Sequence, residues 1–252
     1  MQQPIWQPLE EELNLWHQAG LTPQFWWRDD DASKAGLKLK KLADVSAGLP
    51  VCLAVVPNWL DQTLAPWLDK NFDNATILQH GWEHVNHAGP KHKKCEFSNN
   101  RQLGDCLHEI TNGHALLIKT FNDRYQPVFV PPWNRISDKV IKALPSVGHL
   151  ALSVYGPRTA FDIPPRRLNT HVDIINWQKG RGFIGMANAI GLCVEHLRAK
   201  RQNRPNVDAT EPTGILSHHI DHDNGCWEFL EELVKFSAKH QLKWVTPIEV
   251  IL

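Results

Sequence analysis

The chain has 252 residues, 42% of them hydrophobic, with 27 basic and 27 acidic side chains and no net charge while its histidines are neutral. That length buries a sizeable core without forcing a second domain, so residues 1–252 read as one domain. Balanced charge without a long basic run excludes a phosphate-tracking surface and a nucleic-acid partner, and no apolar stretch approaches membrane-spanning length.

Met1-Gln2-Gln3-Pro4-Ile5-Trp6 is followed by Glu10-Glu11-Glu12, the wrong charge for an export signal. Leu9, Leu13, Trp16 and Ala19 recur at helical spacing before Gly20. Phe25-Trp26-Trp27 reads as a strand that ends in Arg28-Asp29-Asp30-Asp31. Leu37, Leu39, Leu42 and Val45 mark a helix that stops at Gly48, with Ser33 as a candidate cap. Val51 to Pro57 is a continuous apolar run, as buried parallel strands are. A helix through Leu60, Leu64 and Leu68 follows, interrupted by Pro66, and a third strand over Ala75 to Gln79 delivers the chain into His80.

Past the basic loop Lys91-His92-Lys93-Lys94, a long helix is expected from about Asn99 to Asn122. Pro127 to Pro132 reads as a fourth strand, Ser137 to Val147 as a short helix, and His149 to Tyr155 as a fifth strand. Arg167 to Ile175 gives a sixth, more polar strand. Residues 184–201 are helical, Gly214 to His218 is a seventh strand, Trp227 to His240 an amphipathic helix, and Leu242 to Thr246 an eighth strand. Strands alternating with helices imply right-handed crossovers and a parallel sheet. With seven or eight such units and no glycine-rich phosphate loop, the expected fold is an α/β architecture, a (β/α) barrel of seven or eight parallel strands. The five cysteines are widely spaced, odd in number and without a Cys-x-x-Cys pair, which fits a reduced, cytoplasmic setting.

Several polar clusters fall at or near the C-terminal ends of predicted strands, where barrels of this kind assemble their catalytic groups: Asp30-Asp31, His80 with His84, Pro131 to Asn134, His171 to Asp173, and His218-His219. If the chain turns helical after Gly81, His80 and His84 share one face and can share one cation. The acidic triplet is the best source of a third ligand. Two imidazoles and one carboxylate form a common catalytic zinc set with a position open for water, so the chain reads as a metal-dependent hydrolase. No Gly-x-Ser-x-Gly elbow supports a serine nucleophile.

In this order the clusters resemble the signature motifs of the polysaccharide deacetylase family, carbohydrate esterases of family four type that remove acetyl groups from amino sugars. Arg28-Asp29-Asp30-Asp31-Ala32 is similar to the first motif, and His80-Gly81-Trp82-Glu83-His84 to the second. Val130-Pro131-Pro132-Trp133 keeps the third except for its arginine, Asp173 to Trp177 fits the fourth, and Leu216-Ser217-His218 the fifth. The resemblance spans about residues 25–246. It implies a distorted barrel with zinc or a similar divalent ion. It implies Asp31, His80 and His84 as metal ligands, Asp30 as general base, and His218 as general acid oriented by Asp173. Asp29 replaces Asp30 as base if the triplet is shifted by one. The arginine missing at Val130 pairs with the base in the family, and Arg28 and Arg135 are the candidates to replace it.

The expected reaction is removal of an acetyl group from an N-acetylated carbohydrate by attack of metal-bound water. Asp30 takes the proton, the Trp133 N–H supports the oxyanion, and His218 protonates the leaving amine, with acid and base on opposite sides of the metal. Trp82, Trp133 and Trp177 are placed to stack on a sugar face. The alternatives are a hydrolase of a small non-sugar amide or formamide on the same fold, or a catalytically degenerate carbohydrate-binding protein. Oligomeric state stays open.

Overall fold

In the computed structural model, described over residues 5–159, 164–178 and 180–251, eleven strands run in chain order. The N-terminal residues Met1 to Pro4, read above for export, lie outside the described residues. The strands are β1 (Gln24–Ala32), β2 (Val51–Val55), β3 (Ala75–His80), β4 (Tyr125–Val130), β5 (Ala151–Leu152), β6 (Arg166–Arg167), β7 (Val172–Asp173), β8 (Ile175–Asn176), β9 (Gly182–Phe183), β10 (Thr213–Ser217) and β11 (Lys243–Trp244). Nine belong to one parallel sheet, with path β6-β5-β4-β3-β2-β1-β10-β7 and β11 on β1, while β8 and β9 form a small antiparallel pair. Helices such as Gln7–Gln18, Leu103–Phe121, Met186–Arg201 and Asn224–His240 cover the outside, and no helix among the described residues is long and apolar enough to cross a membrane.

The sheet curls until it closes. β6 and β7 stand at opposite ends of the path yet only residues 168–171 separate them in the chain. Leu168 N and Thr170 N donate to Leu152 O and Val154 O on the β5 side, and His171 N donates to Gly214 O on the β10 side. One extended stretch thus bonds to both ends of the sheet. The expected sixth strand over Arg167 to Ile175 is therefore three short ladders, because the chain changes partners midway. β5 is likewise shorter than His149 to Tyr155.

Strand alternation explains what lies on each side. Phe25 and Trp27 of β1 pack outward with Leu53, Val55 and Ile77 against the helices. Trp26 points the other way, clustering with Cys52, Ala54, Leu78, Val128, Val130 and Ala151. Residues from that many strands meet only inside the barrel. A Cβ at Gly214 would collide with the Trp26 indole and with backbone of Asn169 and Thr170, so β10 carries glycine where the large ring fills the interior. The same alternation sends Arg28 and Asp30 inward after Trp26.

Candidate metal centre and active site

β1 does not end at the apolar run, as its sequence suggested, but continues through the acidic triplet to Ala32. Pairing with β2 shifts register between Asp29 and Ala32, and Asp31 adopts a φ of 68°. Such a bulge re-aims a side chain. It turns Asp31, which regular alternation would send outward, toward the histidines at the end of β3. Asp29 keeps its own direction: it is fully buried, accepting hydrogen bonds from Ser217 Oγ, His219 N and His219 Nδ1. Burial alone would raise its pKa, but pairing with His219 outweighs that and the net shift is downward. Asp29 is thereby occupied as a structural anchor, and Asp30 is left facing the interior.

Asp30 is held by Arg28. The guanidinium approaches it side-on, Nε to Oδ1 at 2.9 Å and Nη2 to Oδ2 at 3.0 Å, with both side chains buried. Ser153 Oγ accepts a proton from Arg28 Nη1 and Asn134 Oδ1 the second proton of Nη2, each at 2.7 Å. Arg135, the other candidate for this task, instead donates to Lys94 O from an exposed position.

His80 closes β3, and no helix follows it. The expected helical face is replaced by a loop in which Gly81 and His84 both have a φ of 58°. A buried carboxylate holds this loop: Glu96 accepts hydrogen bonds from the backbone N–H of Trp82 (3.2 Å), Glu83 (2.7 Å) and His84 (3.0 Å). A Cβ at Gly81 would collide with Glu96 and the Pro132 ring. Nothing in the local sequence marks Glu96, since its partners lie twelve to fourteen residues back. In Glu96→Gln, an amide NH₂ must face an N–H donor, and cation affinity is expected to fall about 10- to 100-fold, as for other residues that orient ligands. Competition with a chelating dye measures it, and unchanged affinity would show that the loop holds its shape without the carboxylate.

Asp31 Oδ1 lies 3.2 Å from His80 Nε2 and 3.5 Å from His84 Nε2, and the three donor atoms fall within 4.8 Å of one another. The tautomer is set from behind, because His80 Nδ1 donates to Val130 O at 3.0 Å and Nε2 faces the carboxylate. Asp31 Oδ1 is buried without an aligned hydrogen bond. Burial and the neighbouring His80 push the His84 pKa down to about 4, so its imidazole is neutral and its lone pair available. Burial works to raise the Asp31 pKa, but the histidines outweigh it and hold the carboxyl well below its usual range. An ionised carboxylate and two imidazole nitrogens converging on one point fit a divalent cation.

His218 follows β10 and places Nε2 3.8 Å from Asp30 Oδ2. The two are close neighbours, nearer than the expected arrangement of acid and base suggests. Asp173 does not orient His218 by hydrogen bonding. Its oxygens accept from Ile175 N (3.0 Å) and Trp177 Nε1 (2.8 Å), and the Trp177 ring meets His218 edge-on at 4.7 Å. His218 Nδ1 is buried without a partner among the described residues. Asp173 thus touches His218 only by way of the Trp177 ring, and burial pushes its own pKa up.

No family model matches the sequence, and no curated protein does. Solved structures do match. A family 4 acetyl xylan esterase from Clostridium thermocellum, in complex with a cobalt ion, superposes with a TM-score of 0.54 at 16% identity, over 90% of this chain and 89% of that one. A Streptococcus mutans CE4 esterase gives 0.58 at 12% identity over 89% and 85%. A CE4 family pseudoenzyme from Bacillus anthracis gives 0.56 at 12% identity over 92% and 66%. The chain has the CE4 deacetylase fold. On this CE4 frame the rim is aromatic. Trp133 meets the His84 ring edge-on at 4.4 Å, and Trp59, absent from the sequence-based set, approaches it at 5.4 Å. Trp82 turns the other way and packs, partly buried, against the cluster containing Phe97, Cys106 and Ile110, so Trp59 takes the rim position expected of it. Only the bend of the loop after β3 decides between them.

His171, grouped with the rim from its place in sequence, lies at the opposite end of β10. With His196 and Glu211 it forms a second buried group of potential ligands. His171 Nδ1 accepts from Gly214 N at 2.9 Å, so its one proton sits on Nε2, 3.2 Å from Glu211 Oε2. That leaves the ring no lone pair for a cation. Glu211 also accepts from Arg158 N and Asn169 N, and Lys200 Nζ donates to its carbonyl. The group is a hydrogen-bond network that ties the closing stretch to β10.

Proposed function

We propose that the protein is a metal-dependent hydrolase that removes an acetyl group from an N-acetylated carbohydrate, with zinc as its cation. The observation that carries this reading is the meeting of two arrangements on one strand: Asp31 completes a triad with His80 and His84, and the adjacent Asp30 is clamped by a buried arginine. A divalent cation on the triad supplies Lewis acidity and makes water easier to deprotonate. Asp30 accepts the proton of the attacking water. Arg28 fixes that carboxylate so both oxygens keep their direction while the charge changes. His218 protonates the departing amine, and its closeness to Asp30 gives the proton a short path from base to acid. The N–H of Trp133, the first after Pro131-Pro132, supports the oxyanion. Trp59, Trp133 and Trp177 offer flat faces to a sugar ring.

Arg28 supplies from β1 the contact to Asp30 that the valine at 130 cannot make, which supports a working hydrolase over a degenerate binding protein. A cytoplasmic setting belongs to the proposal, supported by five buried, unbridged cysteines. Elemental analysis of protein purified without added metal, beside acetate release from N-acetylglucosamine oligomers and from small amides, tests the whole. One divalent cation per chain and faster release from the sugars are expected. Protein that neither carries nor takes up a cation would sink the proposal. Metal without hydrolysis of any substrate would favour the binding protein, and turnover confined to small amides would replace the substrate.

A further inference from the structure

The basic loop Lys91 to Lys94 plays no part in the chemistry above, yet it borders a cavity of about 300 Å³, at the lower end of the size of small-molecule sites. The cavity opens between the loop over residues 86–100 and the turn over 135–137, lined by His92, Lys93, Cys95, Arg135 and Ser137 among others. Its lining holds three basic side chains and no carboxylate. Arg135 spends one N–H on Lys94 O at 3.1 Å, and Lys93 has no acidic partner among the described residues. Ser137 is 6% exposed, and its Oγ is buried without a hydrogen-bond partner. A buried hydroxyl left unpaired beside unpaired cations marks a place where an acceptor is missing.

The cavity adjoins the metal centre through Trp133. That ring meets His84 on one side, Lys94 Nζ lies 5.7 Å from its centroid, and Arg135 follows two residues later. Cys95 Sγ donates to Arg135 O at 3.2 Å and joins the two walls. We propose that this cavity is a subsite for an anionic group, a carboxylate or a phosphate, held by Arg135, Lys93 and Ser137. That the anion belongs to the substrate rests on the hydrolase reading. The preference of the cavity for anions does not.

Calorimetric titration of the metal-loaded protein with glucose 6-phosphate, glucuronate and glucose tests it, since none carries an acyl group to be hydrolysed. At least one anionic sugar is expected to bind about tenfold or more tightly than glucose, and the better of the two identifies the anion. Arg135→Gln should erase the difference, and the exposed Lys93→Gln, which disturbs no bond in the fold, should reduce it several-fold. His84→Ala should keep it, because the anion does not sit on the cation. Equal binding of all three sugars overturns the proposal, as does a preference that survives in both basic-residue variants but vanishes in His84→Ala. If neither N-acetylglucosamine oligomers nor small amides are hydrolysed while the anion preference holds, the hydrolase reading falls and the subsite stands.

Discussion

Replacing His84 by alanine is expected to lower cation affinity by roughly 10²- to 10³-fold while leaving the fold intact. A structural zinc bound by four ligands is worth roughly 10–16 kcal/mol, so one ligand carries about 3–4 kcal/mol of it. His84 is partly exposed on a loop whose shape is held by its backbone N–H and Glu96, and those bonds survive the substitution. Acid should act in the same direction in the unaltered protein. Burial works to lower the His80 pKa, but the charges of Asp30 and Asp31 outweigh it and raise it. A proton on His80 must then leave before a cation can bind, and affinity falls as pH drops. Dye competition across pH measures both effects. Affinity that is unchanged in the variant, or flat with pH, would mean that the cation sits elsewhere.

Removing the partner of the proposed base is the second large effect. Arg28→Met leaves the Asp30 charge buried and unpaired, for which the expected loss is about 3–5 kcal/mol of unfolding free energy. Asp30→Asn should keep the cation and lower kcat by about 10²- to 10⁴-fold. The double variant should recover part of the stability lost in Arg28→Met, since no charge is left unpaired. Denaturant titration and kcat measurements separate the two roles. Stability losses that simply add would show that Arg28 serves packing alone.

The convergence of Asp31, His80 and His84 is legible in the sequence, but for a reason the structure replaces. Four-residue spacing suggested one helical face, whereas a strand end and a loop with two left-handed residues bring the rings together. The barrel was legible because buried parallel strands announce themselves as apolar runs. Its closure was not, since the stretch over 166–173 is polar and divides its bonds between two partners. Strand alternation separates Asp29 from Asp30, whereas the bulge that turns Asp31 toward the histidines is one that three identical residues in a row cannot reveal. Glu96 and Trp59 were invisible for a related reason: each acts on the loop after β3 across a long sequence separation, and local pattern carries no trace of that.

The stretch that seals the barrel also has no freedom of length. Its first part is in register with β5 and its last with β10, so one added residue between Arg167 and Val172 would slide the second register and turn Asp173 to the opposite face. The anchor of Trp177 would go with it, and the ring that backs His218 would lose its place. Insertions that most surface connections absorb would here disturb His218, the proposed proton donor, through the Trp177 ring.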